Sequence, residues 1–151
     1  MKLAEALLER ADLQKRLAQM RKRLSRSAVV QEGEEPPEDP KELLQEMNRI
    51  VTSLESLVKR INHTNAAVSL EPYGTIADAL TRREMIMHKR SLLESLVEEA
   101  SMIEDRYSHS EIKSIATVSV RELQKEIDAL SKEYREVDTR VQQANWLTEL
   151  K

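Results

Sequence analysis

Towards the end of the chain, apolar residues recur with gaps of three and four. Val120, Leu123, Ile127, Leu130, Tyr134, Val137, Val141 and Ala144 form an unbroken a/d seam. At about 3.6 residues per turn these positions share one side of a helix. The seam predicts a helix over about 120–144 that must bury that side against a neighbour. Earlier segments read the same way. Leu3, Leu7, Leu13, Leu17, Met20 and Leu24 predict a first helix over 2–26. Arg10 interrupts that stripe, its aliphatic stem lying over apolar surface while its charge reaches water or a carboxylate. Asp39-Pro40 starts a second helix, since Asp is a good N-cap and Pro at the first helical position loses no needed donor. Leu43, Met47, Ile50, Leu54, Leu57 and Ile61 form its seam, with Leu44, Val51 and Val58 on the adjacent flank, and it should end near Asn62–Asn65. A third helix runs from Ile76 to about Tyr107. Leu80, Ile86, Leu93, Val97, Ala100 and Tyr107 lie on its broad stripe, widened by Met85, Leu92, Leu96 and Ile103. Thr75 and Asp78 have capping-box spacing at its start, although Asp is shorter than the usual Glu.

Between the helices the periodicity changes. Residues 28–31 read as a very short strand, and Gly33, Pro36, Pro37 and Pro40 then exclude a continuous helix. Residues 27–40 are thus an acidic linker inside one helical domain covering 1–151. Residues 66–71 alternate like a short strand before the Pro72-Tyr73-Gly74 turn, and residues 111–118 are the best strand candidate. The fold class is mainly α. Four long antiparallel helices, each about 25 residues and about 38 Å long, form a bundle with room for short β-strands or a β-arm between them.

Composition narrows the chemistry. The absence of Cys excludes disulfides, thiolate nucleophiles and cysteine zinc sites within the chain. The N-terminus has no signal-peptide pattern and no apolar run reaches bilayer length, so a cytoplasmic location is expected. The net charge of −3 is unevenly spread. Residues 1–30 carry eight Lys/Arg and three Asp/Glu, a balance of +5; residues 31–46 carry seven acids and Lys41, a balance of −6. Mutual neutralisation is the simplest reading. The basic stripe Lys15, Arg16, Arg21, Lys22, Arg23 and Arg26 is the main argument for nucleic acid. The acidic segment and the lack of an aromatic reading surface argue against it. Membrane attachment is not expected, because the apolar face of the first helix is needed by the bundle.

Some polar residues lie where a site or a structural network would. Arg135, Asp138, Gln142 and Asn145 share one broad helical face and suit either a hydrogen-bond network or a ligand site. Trp146 follows them and suits core packing or the cap of an apolar pocket. Asn62 and Asn65 stand ready to bond the backbone at a helix exit. Asp78 and Arg82 are one turn apart. Arg83 and Arg90 interrupt the apolar register of the third helix and need carboxylates if buried, Asp138 or Glu84 being candidates. His63, His88 and His109 form no short-spaced metal motif, and no phosphate-binding glycine loop or G-x-S-x-G elbow is present. No cofactor or metal is implied.

Four strings carry a resemblance over nearly the whole chain: Val30-Gln31-Glu32-Gly33 with Pro36 and Pro40; Ile61 to Asn65; Thr75 to Arg83; and Tyr134 to Trp146. The chain resembles a bacterial family of mainly helical proteins labelled septicolysin-like. It departs from that pattern at Ser27, at Pro72-Tyr73 and at Glu84. The label implies a toxin activity, for which the residues supply no dedicated membrane-spanning element.

Together these features lead us to expect a soluble homo-oligomer with a structural or interaction role, because the wide apolar face of the second helix suits a further subunit. The alternative is a protein that binds a small anionic ligand, or an enzyme, using Arg82, Arg83, Asp138, Gln142 and Asn145. No reaction is assigned.

Overall fold

A computed structural model describes residues 1–102 and 112–151. Its described residues form four α-helices: α1 (Leu3–Ser27), α2 (Pro40–Ala67), α3 (Ile76–Met102) and α4 (Val120–Leu147). The all-α architecture of four long helices expected from periodicity is therefore the fold. The chain divides into two units, Met1–Val68 with Ala144–Lys151, and Ser69–Gln143.

In the first unit, α1 and α2 pair antiparallel. Met20, Leu43 and Ile50 are buried, and Leu13, Leu17, Leu24 and Met47 pack against them. Each is a seam position, so burying the two stripes against each other removes apolar surface that neither helix could hide alone. Asp39 caps α2 as expected: its carboxylate accepts the Lys41 backbone N–H at 2.9 Å. The flank residues Leu44 and Val51 remain 45% and 43% exposed. A strap of residues 148–151 completes the unit. Leu3 N–H donates to the Thr148 carbonyl, and Leu150 N–H to the Met1 carbonyl, each at 2.9 Å. Leu150 is buried there, whereas Trp146 and Leu147 are 58% and 77% exposed.

In the second unit, α3 and α4 are joined by a ladder of polar pairs. Arg82 meets Glu133 and Lys89 meets Glu126; Arg83 meets Asp138 and Arg90 meets Ser131. Each pair steps up α3 by a heptad while stepping down α4 by the same amount, which is an antiparallel register. Ile76, Ala79 and Ile86 of α3 and Ile127, Leu130, Val137 and Val141 of α4 are buried.

The strand expectations are corrected. Among the described residues the only β pairings are isolated bridges, Lys2 with Glu149 and Ser69 with Thr75. Residues 28–31 form no strand, and Val29 and Val30 are exposed. Helix α2 runs through Asn62–Asn65 to Ala67, so the first two residues of the alternating segment are helix and the rest contributes only the Ser69 bridge. Residues 112–118 are irregular. The expected end of the third helix at Tyr107, together with Ile103, His109 and residue 111, lies outside the described residues.

Candidate functional site

The second unit holds a polar hollow of about 840 Å³ between the 71–73 turn and one side of α4. The turn is built before the helix begins. Leu70 N–H donates to the Gly74 carbonyl at 2.6 Å, and Tyr73 N–H to the Leu70 carbonyl at 2.9 Å. Gly74 takes φ +95°, a conformation that a side chain disfavours. Thr75 and Asp78 then form a reciprocal cap. The Thr75 hydroxyl accepts Asp78 N–H at 3.1 Å, and the Asp78 carboxylate accepts Thr75 N–H at 2.8 Å and the Thr75 hydroxyl at 2.9 Å. The shorter acid thus has reach enough. These bonds, the backbone one foremost, hold the Asp78 carboxyl below its ordinary value of 3.8. Arg140 fastens the turn to α4, donating from Nη2 to the Glu71 carbonyl at 2.7 Å.

Lys132, Arg135, Glu136, Thr139 and Gln143 line the helical side of the hollow. Helix α4 offers acids (Glu126, Glu133, Asp138) to the cations of α3, and its own Lys132 and Arg135 have no ion-pair or hydrogen-bond partner among the described residues. The Glu71 carboxylate instead accepts the Ser69 hydroxyl at 3.2 Å.

The structure sorts the residues singled out by sequence. Arg83 does find Asp138, with one 2.7 Å bond between half-buried side chains. Arg90 rests 5.7 Å above the Tyr134 ring and 3.7 Å from Glu94. Arg82 bonds Glu133, and Asp78 turns to Thr75, so these two are not partners. Arg135 turns to the hollow and forms no pair with Asp138. Gln142 is exposed, Asn145 is buried, and Trp146 is exposed rather than packed. Asn62 is exposed and Asn65 half-buried within α2.

The residue missed between them is Thr64. It is fully buried, and its hydroxyl donates to the Arg60 carbonyl at 2.8 Å and accepts Lys151 N–H at 2.9 Å. The signal was present, because Thr64 is the next a/d position after Leu57 and Ile61.

The first unit has an apolar groove of about 890 Å³ along α1 and α2, walled by Leu17, Met20, Leu24, Pro40, Leu44 and Met47. Elsewhere on this unit, Arg23 bonds Glu38 through Nη2 at 2.6 Å and meets Glu46 at 3.4 Å. The bond to Arg23 holds the Glu38 carboxyl below its ordinary range. The side chains of Lys15, Arg21, Lys22 and Arg26 of α1, and of Glu32, Glu34, Glu35 and Glu42 after it, have no partner among the described residues. No helix among the described residues is long and apolar enough to cross a membrane. No three His, Asp or Glu among them gather as metal ligands.

Two heptad-paired helical hairpins, with a strap on the first and a capped turn on the second, are the architecture to be matched. The chain belongs to a family of unknown function (DUF6847), whose model matches residues 10–150. It is also similar to a solved structure, a functionally unknown conserved protein from Corynebacterium diphtheriae. That similarity is 42% in sequence with a TM-score of 0.93, over 100% of this chain and 99% of the other. No curated protein matches the chain. These findings overturn the septicolysin-like assignment: the strings that suggested it belong to a family and a relative without that label. Surface strings such as Asn62-His63 follow helix geometry as much as activity, which is why they misled.

Proposed function

We propose that this protein is a self-associating interaction module whose first unit pairs with a second copy through the α1/α2 groove. The observation that carries this reading is the groove itself: an apolar trough continued along α2 by the exposed Leu44 and Val51. Arg21 lies on the α1 side of the groove. An axis along the groove sets α1 of one copy against α2 of the other, whereas an axis across it sets α1, with its excess of Lys and Arg, on α1 and repels. The favoured assembly is a four-helix dimer core with every neighbouring pair antiparallel.

Light scattering on the full chain tests this. The reading expects twice the 17.4 kDa chain mass. Leu44→Glu should give the single-chain mass with its helical circular dichroism intact. A particle of one chain mass at every concentration would overturn the proposal.

A further inference from the structure

We infer that the hollow between the 71–73 turn and α4 is a binding site for a small hydroxyl-rich oxyanion of the sugar phosphate class. This inference is independent of self-association, since the hollow belongs to the second unit and the groove to the first. Three features of the hollow point to such a ligand.

The first is unspent positive charge in a place already shaped. On α4 Glu126, Glu133 and Asp138 are paired with α3 cations, whereas Lys132 and Arg135, one turn apart, aim at the hollow without partners among the described residues. A guanidinium beside an ammonium suits an oxyanion, the first forming a planar fork and the second a mobile point charge.

The second is the rest of the lining. Thr139, Gln143 and the half-buried Tyr73 supply donors and acceptors, and the carboxylates of Glu136, without a partner among the described residues, and of Glu71, bonded by the Ser69 hydroxyl, line the same hollow. Carboxylates there disfavour a bare polyanion but suit a molecule whose hydroxyls donate to them. The anion and hydroxyls must therefore be on one molecule. Tyr73 and Pro72 offer the flat apolar surface on which a sugar ring rests.

The third is preorganisation. The Arg140 bond to the Glu71 carbonyl, the Leu70–Gly74 bond and the Thr75–Asp78 cap hold the far wall in place without a ligand. Binding therefore loses little freedom in ordering the protein.

The test is calorimetric titration of the full chain with ribose 5-phosphate, inorganic phosphate and ribose at fixed ionic strength. Ribose 5-phosphate should saturate with a Kd of about 1 mM or tighter. Inorganic phosphate should bind at least about tenfold more weakly and ribose weaker still. Arg135→Gln should weaken ribose 5-phosphate about tenfold, as expected for one lost charge-assisted bond, with the melting temperature unchanged because the residue is exposed. Glu136→Gln should strengthen inorganic phosphate relative to ribose 5-phosphate. Failure of ribose 5-phosphate to saturate by about 10 mM would overturn the inference. So would equal affinity for the free and sugar-borne phosphate, or indifference to Arg135→Gln.

Discussion

At the scale of single residues, the Arg83–Asp138 pair lies between two regimes. Its side chains are 28% and 34% exposed, so neither a bulk-water nor a fully desolvated value applies. Losing an exposed pair costs about 0.2–1 kcal/mol, and stranding a buried charge about 3–5 kcal/mol. Asp138→Asn should cost about 1–2 kcal/mol in denaturant melts, because water still reaches Arg83 while one short charged bond is lost. A midpoint equal to the parent's would mean that the bond carries no stability. This pair was readable from sequence, since Arg83 breaks an apolar register and Asp138 was a candidate carboxylate. Thr64 was passed over because its two asparagine neighbours looked more capable chemically. Burial follows the seam, and Thr64 occupies the seam position while Asn62 and Asn65 flank it.

At the scale of elements, the start of α3 depends on one glycine. A Cβ on Gly74 would stand 2.5 Å from the Asp78 carboxylate, at a φ of +95°. Gly74→Ala should therefore both strain the backbone and displace the cap, costing about 1–3 kcal/mol. Comparing its melt with that of Asp78→Ala separates the contributions. If the two losses are equal, the cap accounts for all of it and backbone strain for none. Helices were legible because a 3–4 repeat demands one geometry wherever it occurs. Strands were not, because a strand needs a partner edge. Val29 and Val30 have β-prone side chains but no neighbouring strand in the described residues, and they stay exposed. The hollow was legible only in part. Arg135 was noticed, but the turn that faces it is more than fifty residues away in the chain, and helical spacing says nothing about what arrives opposite.

At the scale of the whole molecule, stability should depend on acid pH through several exposed carboxylates. Glu38, Glu55 and Glu149 are held below the ordinary Glu value of 4.5, chiefly by hydrogen bonds from Arg23, Lys59 and Lys2 respectively, and Asp78 is lowered by Thr75. A lowered folded value means that the stabilisation is present above 4.5 and is lost as pH falls through the folded values. The melting temperature should be flat near neutrality and drop below about pH 4.5, less steeply in high salt for the ion-paired groups. A melt that rises on acidification would contradict the assigned directions. The strap of residues 148–151 has a different consequence, one of timing. Lys151 bonds Thr64 and Thr148 bonds Leu3, so the first unit is closed by residues that follow the entire Ser69–Gln143 segment. During synthesis from the N-terminus, the α1/α2 hairpin leaves the ribosome early with its strap unmade, and residues 148–151 leave it only after the whole second unit. The second unit is contiguous and can fold as it appears; the first must wait, its strap site open, until residues 148–151 are delivered.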